Sequence, residues 1–278
     1  MTRHRALAQR LAAWRSFRGI ARAARTLAAA QGQRWSAHAE QAARHLAWTR
    51  GLIEHFEVST PEHAARGVLV IGTDLGLCGR LNAALAAQLR ASALVDEGAL
   101  IVVGARLLDE LRDVEPVFSL PAPASLEAIE QLSSRIATAL ETAARTAELQ
   151  LSILLSATTT NDGYPILEIW REGPELSELA RVRRSLAPPI VDLSPPELAR
   201  ESVASLHLRA RIAHALCVAA ASEAAARLFT MSRAYEASDR SIRQQQLDLR
   251  KLEQEEITQD MLEVRGGQRP RGRERRLV

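Results

Sequence analysis

The segment whose residues come closest to a chemical site is 73–82, which reads TDLGLCGRLN. It follows an apolar run and precedes an amphipathic one, and a glycine-containing turn between a strand and a helix can bind an anion at the helix N-terminus. The glycines form neither a Gly-x-Gly-x-x-Gly turn nor a Walker loop that ends in Lys-Ser or Lys-Thr. The spacing therefore argues against a nucleotide site and predicts a tight strand-to-helix turn, for which glycine supplies the backbone freedom.

The imidazole and thiol groups are scattered and show no metal-site spacing. His38 and His45, like His207 and His214, are seven residues apart, which places each pair on one helix face but too far apart for joint ligation. Cys78 has no evident base near it in sequence, and a chain with two cysteines is typical of free thiols in a reducing compartment. The residue types predict no catalytic group, no metal site and no cofactor.

Charge is distributed unevenly along this chain, whose net charge is +3. Residues 1–50 carry ten arginines against the single acid Glu40, and residues 265–278 are again rich in arginine. Such ends can meet an acidic partner, so one interpretation is an arginine-rich coiled coil that binds nucleic acid or acts as a scaffold. The acidic stretch 253–263 and the lack of aromatic residues in the basic tail argue against it.

The first part of the chain predicts one long helix. Residues 2–56 contain no proline, and apolar or small side chains recur at steps of three and four residues. This spacing places them on one stripe of a helix, with arginines on the other faces. The stripe consists of Leu7, Leu11, Trp14, Phe17, Ala21, Ala24 and Ala28.

The last part of the chain predicts a second long helix. After Pro195-Pro196 the chain runs without proline or glycine to Val264, which would make a helix on the order of 100 Å long. Because helices of this length depend on packing one face, we expect it to pair with the N-terminal helix in an antiparallel coiled coil. The predicted seam consists of Leu228, Met231, Tyr235, Ser238, Ile242, Gln245, Leu249 and Leu252. Its serine and its glutamine are polar exceptions in this series.

Between the helices, the hydrophobic pattern changes to that of a sheet. Apolar runs typical of buried strands alternate with amphipathic segments, which predicts a small α/β domain with a largely parallel sheet. A doubly wound domain raises the alternative of an enzyme with its own nucleotide site, although no phosphate-binding loop is present. We expect strands at 67–72, 99–104, 151–156 and 166–170, the last after the turn 161–163, and helices at 80–95 and 125–150, with Ser125 as N-cap.

The fold class predicted from these patterns is α/β plus long α: an antiparallel coiled coil of the N- and C-terminal helices with an inserted Rossmann-like α/β domain. No stretch approaches roughly 18 consecutive apolar residues, so we expect no membrane-spanning segment. A stiff paired shaft with an attached lobe indicates a mechanical or scaffolding role. The expected parts are the N-terminal coiled-coil helix 1–58, the α/β foot domain 66–195, the C-terminal coiled-coil helix 196–266 and a basic tail 267–278.

Three segments, in the same order along the chain, resemble the gamma subunits of F-type ATP synthases. Residues 222–267 resemble the C-terminal helix of that family, and residues 73–82 resemble its Ser-Asp-Arg-Gly-Leu-Cys-Gly-Gly-Leu-Asn signature. The Ile-Ala-Arg-Ala and Leu-Ala-Ala runs within 20–29 resemble its N-terminal helix. The signature departs from the family at Leu75, which replaces an arginine, and at Arg80, which replaces a glycine. The chain is thus identified as a divergent member of the family.

The resemblance implies a non-catalytic subunit of a proton- or sodium-translocating ATP synthase. Family members are central rotor stalks inside a ring of alpha and beta subunits, and they join a small epsilon subunit and a membrane ring of c subunits. They couple ion flow through the c-ring to ATP synthesis or hydrolysis in the head, where the chemistry belongs to beta. For this chain the resemblance implies those protein partners, no nucleic acid, and a peripheral position on the cytoplasmic face of the bacterial plasma membrane.

The resemblance also assigns partner-contact positions. Arg227, Gln254 and Thr258 match positions that engage the catch loops of the beta subunit. The five matching signature residues lie, by resemblance, on a surface near the head or the coupling partners: Asp74, Gly76, Cys78, Gly79 and Asn82. The simpler interpretation of these five, as parts of a strand-to-helix turn, stays open beside the functional one.

Overall fold

The computed structural model describes residues 2–58, 65–92, 94, 98–144, 149–161, 164–171 and 195–267. Two long helices enclose an α/β domain in sequence, which confirms the predicted fold class. The helices are α1 (Thr2–His55), α2 (Leu81–Ala91), α3 (Ala105–Glu110), α4 (Leu126–Ala144) and α5 (Pro196–Gly267). The strands are β1 (Ala65–Ile71), β2 (Ala99–Val103), β3 (Phe118–Leu120), β4 (Leu149–Asn161) and β5 (Tyr164–Arg171).

The five strands form one sheet in the order β3-β2-β1-β4-β5. β1 pairs in parallel with both β2 and β4, and β3 pairs in parallel with β2, so the carboxyl ends of these strands share one edge. β5 runs antiparallel to β4, and only two residues separate Asn161 from Tyr164 in sequence, far fewer than a parallel crossover needs. The four predicted strands are present. The sequence patterns do not predict α3 and β3, whose six and three residues are too short to show a period.

Helices cover both faces of the sheet, because successive side chains of β1 point to opposite sides. On one face, Leu69 packs in a core with Ile136 of α4 and Leu216 of α5. On the other face, Val70 packs in a core with α2 residues such as Leu85. α4 begins as predicted, since the hydroxyl of Ser125 accepts a hydrogen bond from the N–H of Ala128 at 3.3 Å. Helices packed against both faces of the sheet therefore hold the carboxyl ends of its parallel strands in place.

The core residues of α5 also matter for whether this helix is a candidate membrane-spanning segment. Within the described residues, the helix Glu197–Arg265 is long and apolar enough to cross a membrane by length and composition alone. This differs from the expectation of no candidate segment. A helix in the core of a soluble protein passes the same test, and here Leu208, Ile212 and Leu216 lie in the core against the sheet. Packing against the sheet accounts for part of the apolar composition of α5, since 44% of the apolar window is buried.

The chain forms two compact units, and each contains a stretch of α1 paired with a stretch of α5. The first unit joins Met1–Ala24 to Met231–Val278, and the second unit is Arg25–Thr230. In the first unit, Arg18 Nη1 donates to Asp239 Oδ1 at 2.8 Å, and His4 lies 3.6 Å from Glu253. Residue numbers rise on α1 as they fall on α5, so the pairing is antiparallel, as predicted.

The seam of the first unit follows the predicted positions, with one correction on α1. Leu11 and Ala21 are buried, but Phe17, predicted to lie on the same stripe, is 44% exposed. Arg18 takes the inner position instead, because steps of four and three residues alternate strictly in a heptad seam. Ser238, a polar residue of the predicted seam on α5, is fully buried, and its hydroxyl donates to a backbone carbonyl one turn earlier at 2.6 Å.

In the second unit, α1 and α5 approach each other through small and polar side chains. A Cβ placed on Gly32 would lie 3.7 Å from the Cβ of Ala224. Farther along, Thr49 Oγ1 and His207 Nδ1 are 3.0 Å apart. Because the only hydroxyl proton of Thr49 goes to the Leu46 carbonyl at 2.9 Å, the hydroxyl oxygen accepts the Nδ1–H of His207.

We expect the second unit to lose stability when acid titrates His207. Burial, aided by the charges of Arg211 and Arg50, lowers the pKa of His207 to about 4, whereas the pKa of an unfolded histidine is about 6.5. Stability is therefore full above about pH 6.5 and falls as the pH drops toward about 4, by about 1–2 kcal/mol for this partly exposed group. Urea unfolding at about pH 7 and about pH 5 measures this change.

The matched variant for this test is His207→Asn, which keeps an N–H donor near Thr49 and removes the titrating ring. We expect it to reduce the difference between the two pH values. If wild type and variant lose the same stability in acid, the buried imidazole is not the source of the pH dependence.

Some of the sequence predictions fall outside the described residues. These are Asp162-Gly163 of the predicted turn, the segment 172–194 and the tail 268–278. The division of the chain into four parts stays a prediction. The two compact units cut across α1 near Ala24 and across α5 near Met231, and so they group the chain by packing rather than by sequence segment.

Candidate functional site

The segment 73–82 connects β1 to α2 at the carboxyl edge of the sheet. The side chains at its two ends hold each other: the Thr73 N–H donates to Asn82 Oδ1 at 3.1 Å, and Asn82 Nδ2 donates to Thr73 Oγ1 at 2.9 Å. The Thr73 hydroxyl donates in turn to the Leu75 carbonyl at 2.9 Å. These bonds close the segment into a turn with fixed ends, and Thr73 and Asn82 are engaged in that closure.

Asp74 ties this turn to the neighbouring strands. Its Oδ1 accepts a hydrogen bond from the Ala105 N–H at 2.7 Å, and its Oδ2 accepts one from the Ala122 N–H at 2.9 Å. Ala105 follows β2 and Ala122 follows β3, so one carboxylate joins the carboxyl ends of β1, β2 and β3. Because hydrogen bonds to a charged acceptor are about twice as strong as neutral ones, Asp74 is a structural anchor of the site.

Three consecutive residues between these anchors, 75–77, are exposed to solvent. Leu75 and Leu77 are 63% and 60% exposed, and Gly76 between them is exposed as well. Leu77 has a φ of 69° and Gly79 a φ of 64°. The left-handed region costs a residue with a Cβ roughly 1–2 kcal/mol. The turn therefore holds Leu77 in a strained backbone conformation with its side chain exposed to water.

The thiol of Cys78 closes the turn from the inside. Its Sγ lies 3.6 Å from the Leu75 carbonyl oxygen and 3.4 Å from that of Gly76. Burial raises the pKa of Cys78, and the carboxylate of Glu223 raises it further, whereas Arg227 lowers it. A thiol with a raised pKa is a weak nucleophile at neutral pH. Cys78 is therefore a packed thiol that supports the turn.

A mostly buried ion pair on α5 supports the turn. Arg227 Nη2 donates to Glu223 Oε1 and lies 3.7 Å from Cys78 Sγ, while Nη1 lies 3.5 Å from Gln31 Oε1 on α1. The side chains of Arg227 and Glu223 are only 13% and 16% exposed. Burial raises the pKa of Glu223, and Arg227 opposes that rise. Arg227 thus joins α1, α5 and the turn, and its contacts lie within this unit.

Gln254 and Thr258 lie on the last turns of α5, in the first unit. Both are exposed, and the Thr258 hydroxyl donates to the Gln254 carbonyl at 2.8 Å. Every residue from Glu253 to Arg265 is exposed. This end of α5 includes apolar side chains that the sequence reasoning missed, although apolar residues that continue beyond the last seam position were an available signal: Ile257, Met261, Leu262 and Val264.

The predicted site residues therefore separate into two groups. Arg227 and all the signature residues come together in the second unit, around one turn. Gln254 and Thr258 belong to the first unit and lie one helical turn apart on α5.

The ATP synthase family model, which describes the gamma subunit, matches residues 3–269, nearly the whole chain. The chain belongs to the ATP synthase gamma-subunit family. It is a member of the central-stalk family, and the long paired terminal helices with an inserted α/β domain fit that assignment. No curated protein sequence matches this gamma-family chain significantly.

Solved rotor structures of mitochondrial ATP synthases are similar in fold to this gamma-family chain. A chain of the Euglena gracilis OSCP/F1/c-ring structure in rotational state 3 has a TM-score of 0.68 at 15% identity, covering 100% of this chain and 99% of that chain. A chain of the Euglena gracilis rotor in state 1 has a TM-score of 0.64 at 15% identity, with coverage of 92% and 99%. A chain of the Tetrahymena thermophila central stalk/c-ring structure has a TM-score of 0.53 at 17% identity, with coverage of 77% and 99%. At these identities the likeness concerns the fold.

Proposed function

We propose that this chain is the central rotor stalk of an F-type ATP synthase and that it couples ion flow through the membrane c-ring to ATP synthesis or hydrolysis in the head. The chain transmits torque and carries out no bond chemistry, which belongs to the beta subunit. Its partners are the alpha and beta subunits, a small epsilon subunit and the c-ring. Its place is the cytoplasmic face of a bacterial plasma membrane, and free buried Cys78 and Cys217 suit that reducing compartment.

The observation that carries this proposal is the antiparallel pairing of α1 with α5 in both units. A shaft that transmits torque has to resist twisting, and two helices packed along one seam resist it better than one helix does. Small residues at the contact, such as Gly32 and Ala224, let the backbones approach closely. The family match supports an ATP synthase as the assembly in which such a shaft works.

The exposed end of α5 offers a surface for the head of the complex. We propose that Gln254 and Thr258 contact loops of the beta subunit there. A contact that exchanges as the shaft turns is better made by accessible polar groups, worth about 0–1 kcal/mol each, than by a fixed apolar interface. To favour one state of a neighbouring subunit, the shaft needs different contacts with each of its states, which a continuous exposed helix end can offer.

At the turn 73–82, burial and hydrogen bonding support a division of roles. Gly76 and Gly79 are exposed together with Leu75 and Leu77, and we propose that these residues touch a partner. The polar groups of the remaining site residues are engaged within the unit, and we propose that these residues position the turn instead: Asp74, Cys78, Asn82 and Arg227.

Truncating the chain after Glu253 tests the proposed end contact. The removed residues are exposed where the structure describes them, so we expect the chain to fold and the paired helices to keep their hydrogen-exchange protection. ATP-driven ion pumping by the reconstituted complex is expected to fall, because the contact with the head is lost.

A full-length variant, Gln254→Ala with Thr258→Ala, serves as the specific test, and Glu255→Ala on the same exposed turns serves as its control. Pumping that stays at the wild-type level in the truncated protein would contradict the end contact. Failure of the truncated chain to fold would contradict the view that this end contributes little to the fold.

Co-purification of this chain with ATP synthase beta subunits tests the assembly itself. Two other measurements separate the alternatives. Tight, steeply salt-dependent binding to DNA in a gel shift would favour an arginine-rich nucleic-acid-binding protein. Nucleotide binding by the purified chain alone would favour an enzyme with its own site in the α/β domain.

A further inference from the structure

The edge of the sheet at β3 borders a groove. Among the strands that the structure describes, β3 is at the end of the sheet and pairs with β2 alone. Between β3 and α4 lies a groove of about 570 Å³, which Val117, Phe118, Arg135 and Ala139 help to line. A strand edge presents unpaired backbone N–H and C=O groups and is a template for another strand.

The described lining of the groove is largely apolar and includes one cation, Arg135. Val117 is 66% exposed and Phe118 is 36% exposed. The hydroxyl of Thr142, which also lines the groove, donates to the Thr138 carbonyl at 2.7 Å, so its proton is already engaged. The guanidinium carbon of Arg135 lies 5.8 Å from the centre of the Phe118 ring. No carboxylate in the part of the chain that the structure describes forms an ion pair with Arg135.

The sequence around β3 limits what can pair with it. Pro116 and Pro121 bracket the strand, and proline cannot donate to a ladder. The segment between them contains neither a lysine nor a proline that would block the edge, although natural sheets often protect their edges in this way. An added strand can therefore pair over about three or four residues, enough for a specific contact and too few for open-ended association.

We propose that the β3 edge binds an extended segment of another protein in the assembly, which adds a strand beside β3, places an apolar side chain in the groove and sets a carboxylate against Arg135. The proposal rests on the proposed function only in that the chain works inside a multi-subunit complex. Strand addition takes its affinity from backbone hydrogen bonds and its specificity from pockets for alternate side chains. A guanidinium binds a carboxylate with a fixed two-point geometry.

The features of the groove favour a protein strand over other occupants. A helix satisfies its backbone internally and would leave the β3 edge unpaired. A nucleic acid would need several cations along its path, and the groove offers Arg135 alone among its described lining residues. The partner segment is thus extended, carries apolar side chains at alternate positions, and has an aspartate or glutamate within reach of Arg135.

Thiol labelling of Val117→Cys in the full chain tests whether the edge is covered. The natural thiols, Cys78 and Cys217, are buried at 6% and 1% exposure, so they contribute little background. We expect fast labelling of the free chain and labelling slower by about tenfold or more in the assembled complex, as for a site that becomes protected. Gln88→Cys, exposed on α2 at the other face of the sheet, is the control and should label equally in both.

The outcomes separate this proposal from the proposed function. If no complex forms, the proposed function fails. If the complex forms and Val117→Cys labels as fast as in the free chain, or if Gln88→Cys slows to the same extent, the strand proposal is overturned. Slow labelling of the free chain would also overturn it, because the edge would then already be covered.

A photo-crosslinking residue at position 117 identifies what lies beside β3. We expect the cross-linked peptide to come from an extended segment that contains an acidic residue, and Arg135→Met to speed dissociation of that partner several-fold. Arg112→Met, an exposed arginine outside the groove lining, is the matched control and should have no effect. A cross-link to a helical segment, or equal effects of the two arginine variants, would overturn the proposal.

Discussion

Replacing Arg227 by methionine is expected to lower the free energy of unfolding of the second unit by about 2–4 kcal/mol. The side chains of Arg227 and Glu223 are only 13% and 16% exposed. Without the guanidinium, the Glu223 carboxylate stays in a poorly solvated place with no cation beside it, and Cys78 and Gln31 lose a neighbouring donor. Hydrogen exchange of the β1 amides measures the stability of this unit directly.

The controls decide whether an orphaned charge causes the loss. Replacing both members, Arg227→Met with Glu223→Met, is expected to recover most of the stability, because the pair is exchanged for apolar groups of similar volume. Arg106→Met removes an exposed pair with Asp109 that spans 3.8 Å, and its effect should stay within about 0.5 kcal/mol. If Arg227→Met is as stable as wild type, the carboxylate does not depend on the pair.

The loss of stability caused by Arg227→Met is expected to be smaller at acid pH. Burial raises the pKa of Glu223, and removal of Arg227 takes away the charge that opposes this rise. A carboxyl with a raised folded-state pKa binds its proton earlier in the folded state, so its destabilising effect is full above that pKa and is relieved as the pH falls. Hydrogen exchange of Arg227→Met and of wild type is measured near pH 8 and near pH 5. If the difference in the free energy of unfolding between the two proteins is the same at both pH values, this cause is wrong.

The double variant, Arg227→Met with Glu223→Met, also distinguishes whether Arg227 supports the turn 73–82 or contacts a partner subunit. If Arg227 only positions the turn, a double variant that folds as well as wild type should assemble and pump normally. If it folds normally and pumps poorly, the guanidinium itself contacts a partner, as the family resemblance implies. The measurement is ATP-driven ion pumping by the reconstituted complex, normalised to the amount of assembled complex.

The long helices could be predicted because their periodicity is regular. Leu11 and Ala21 lie where steps of three and four residues place them, and both are buried. Phe17 was predicted wrongly because a step of three residues from Trp14 reaches it, and arginines were assigned to the other faces, whereas a strict heptad takes a step of four to Arg18. The partner that lets Arg18 take this position is Asp239, 221 residues away. No local pattern can identify such a partner.

The place of the turn 73–82 could also be predicted, since an apolar run ends there and glycines follow. Its bonding could not be predicted. Asp74 binds the N–H groups of Ala105 and Ala122, which lie 31 and 48 residues farther along the chain. Sequence similarity brought attention to Asp74 without saying whether it supports the turn or touches a partner. The hydrogen bonds favour support, because both carboxylate oxygens are engaged.

Replacing Gly104 by alanine is expected to destabilise the second unit by about 3 kcal/mol or more. Gly104 has a φ of 106°, which a residue with a Cβ rarely adopts. The added Cβ would lie 2.6 Å from the nitrogen of Thr73 and 2.8 Å from the carbonyl carbon of Gly72. No rotamer change relieves a clash with backbone, so the ends of β1 and β2 must separate, which weakens the bond from Ala105 to Asp74.

Gly76→Ala is the matched control for Gly104→Ala, because no heavy atom lies within 4 Å of a Cβ added at Gly76. We expect its stability to stay within about 1 kcal/mol of wild type in urea unfolding, the usual range for a surface change. If the exposed turn touches a partner, Gly76→Ala weakens assembly while the unit stays folded, whereas Gly104→Ala weakens assembly only by disturbing the turn. Equal losses of stability in the two variants would contradict the packing of Gly104 between β1 and β2. If Gly76→Ala assembles normally, the proposed partner contact of the turn is contradicted. The turn would then have only the structural role that Asp74 and Asn82 already explain.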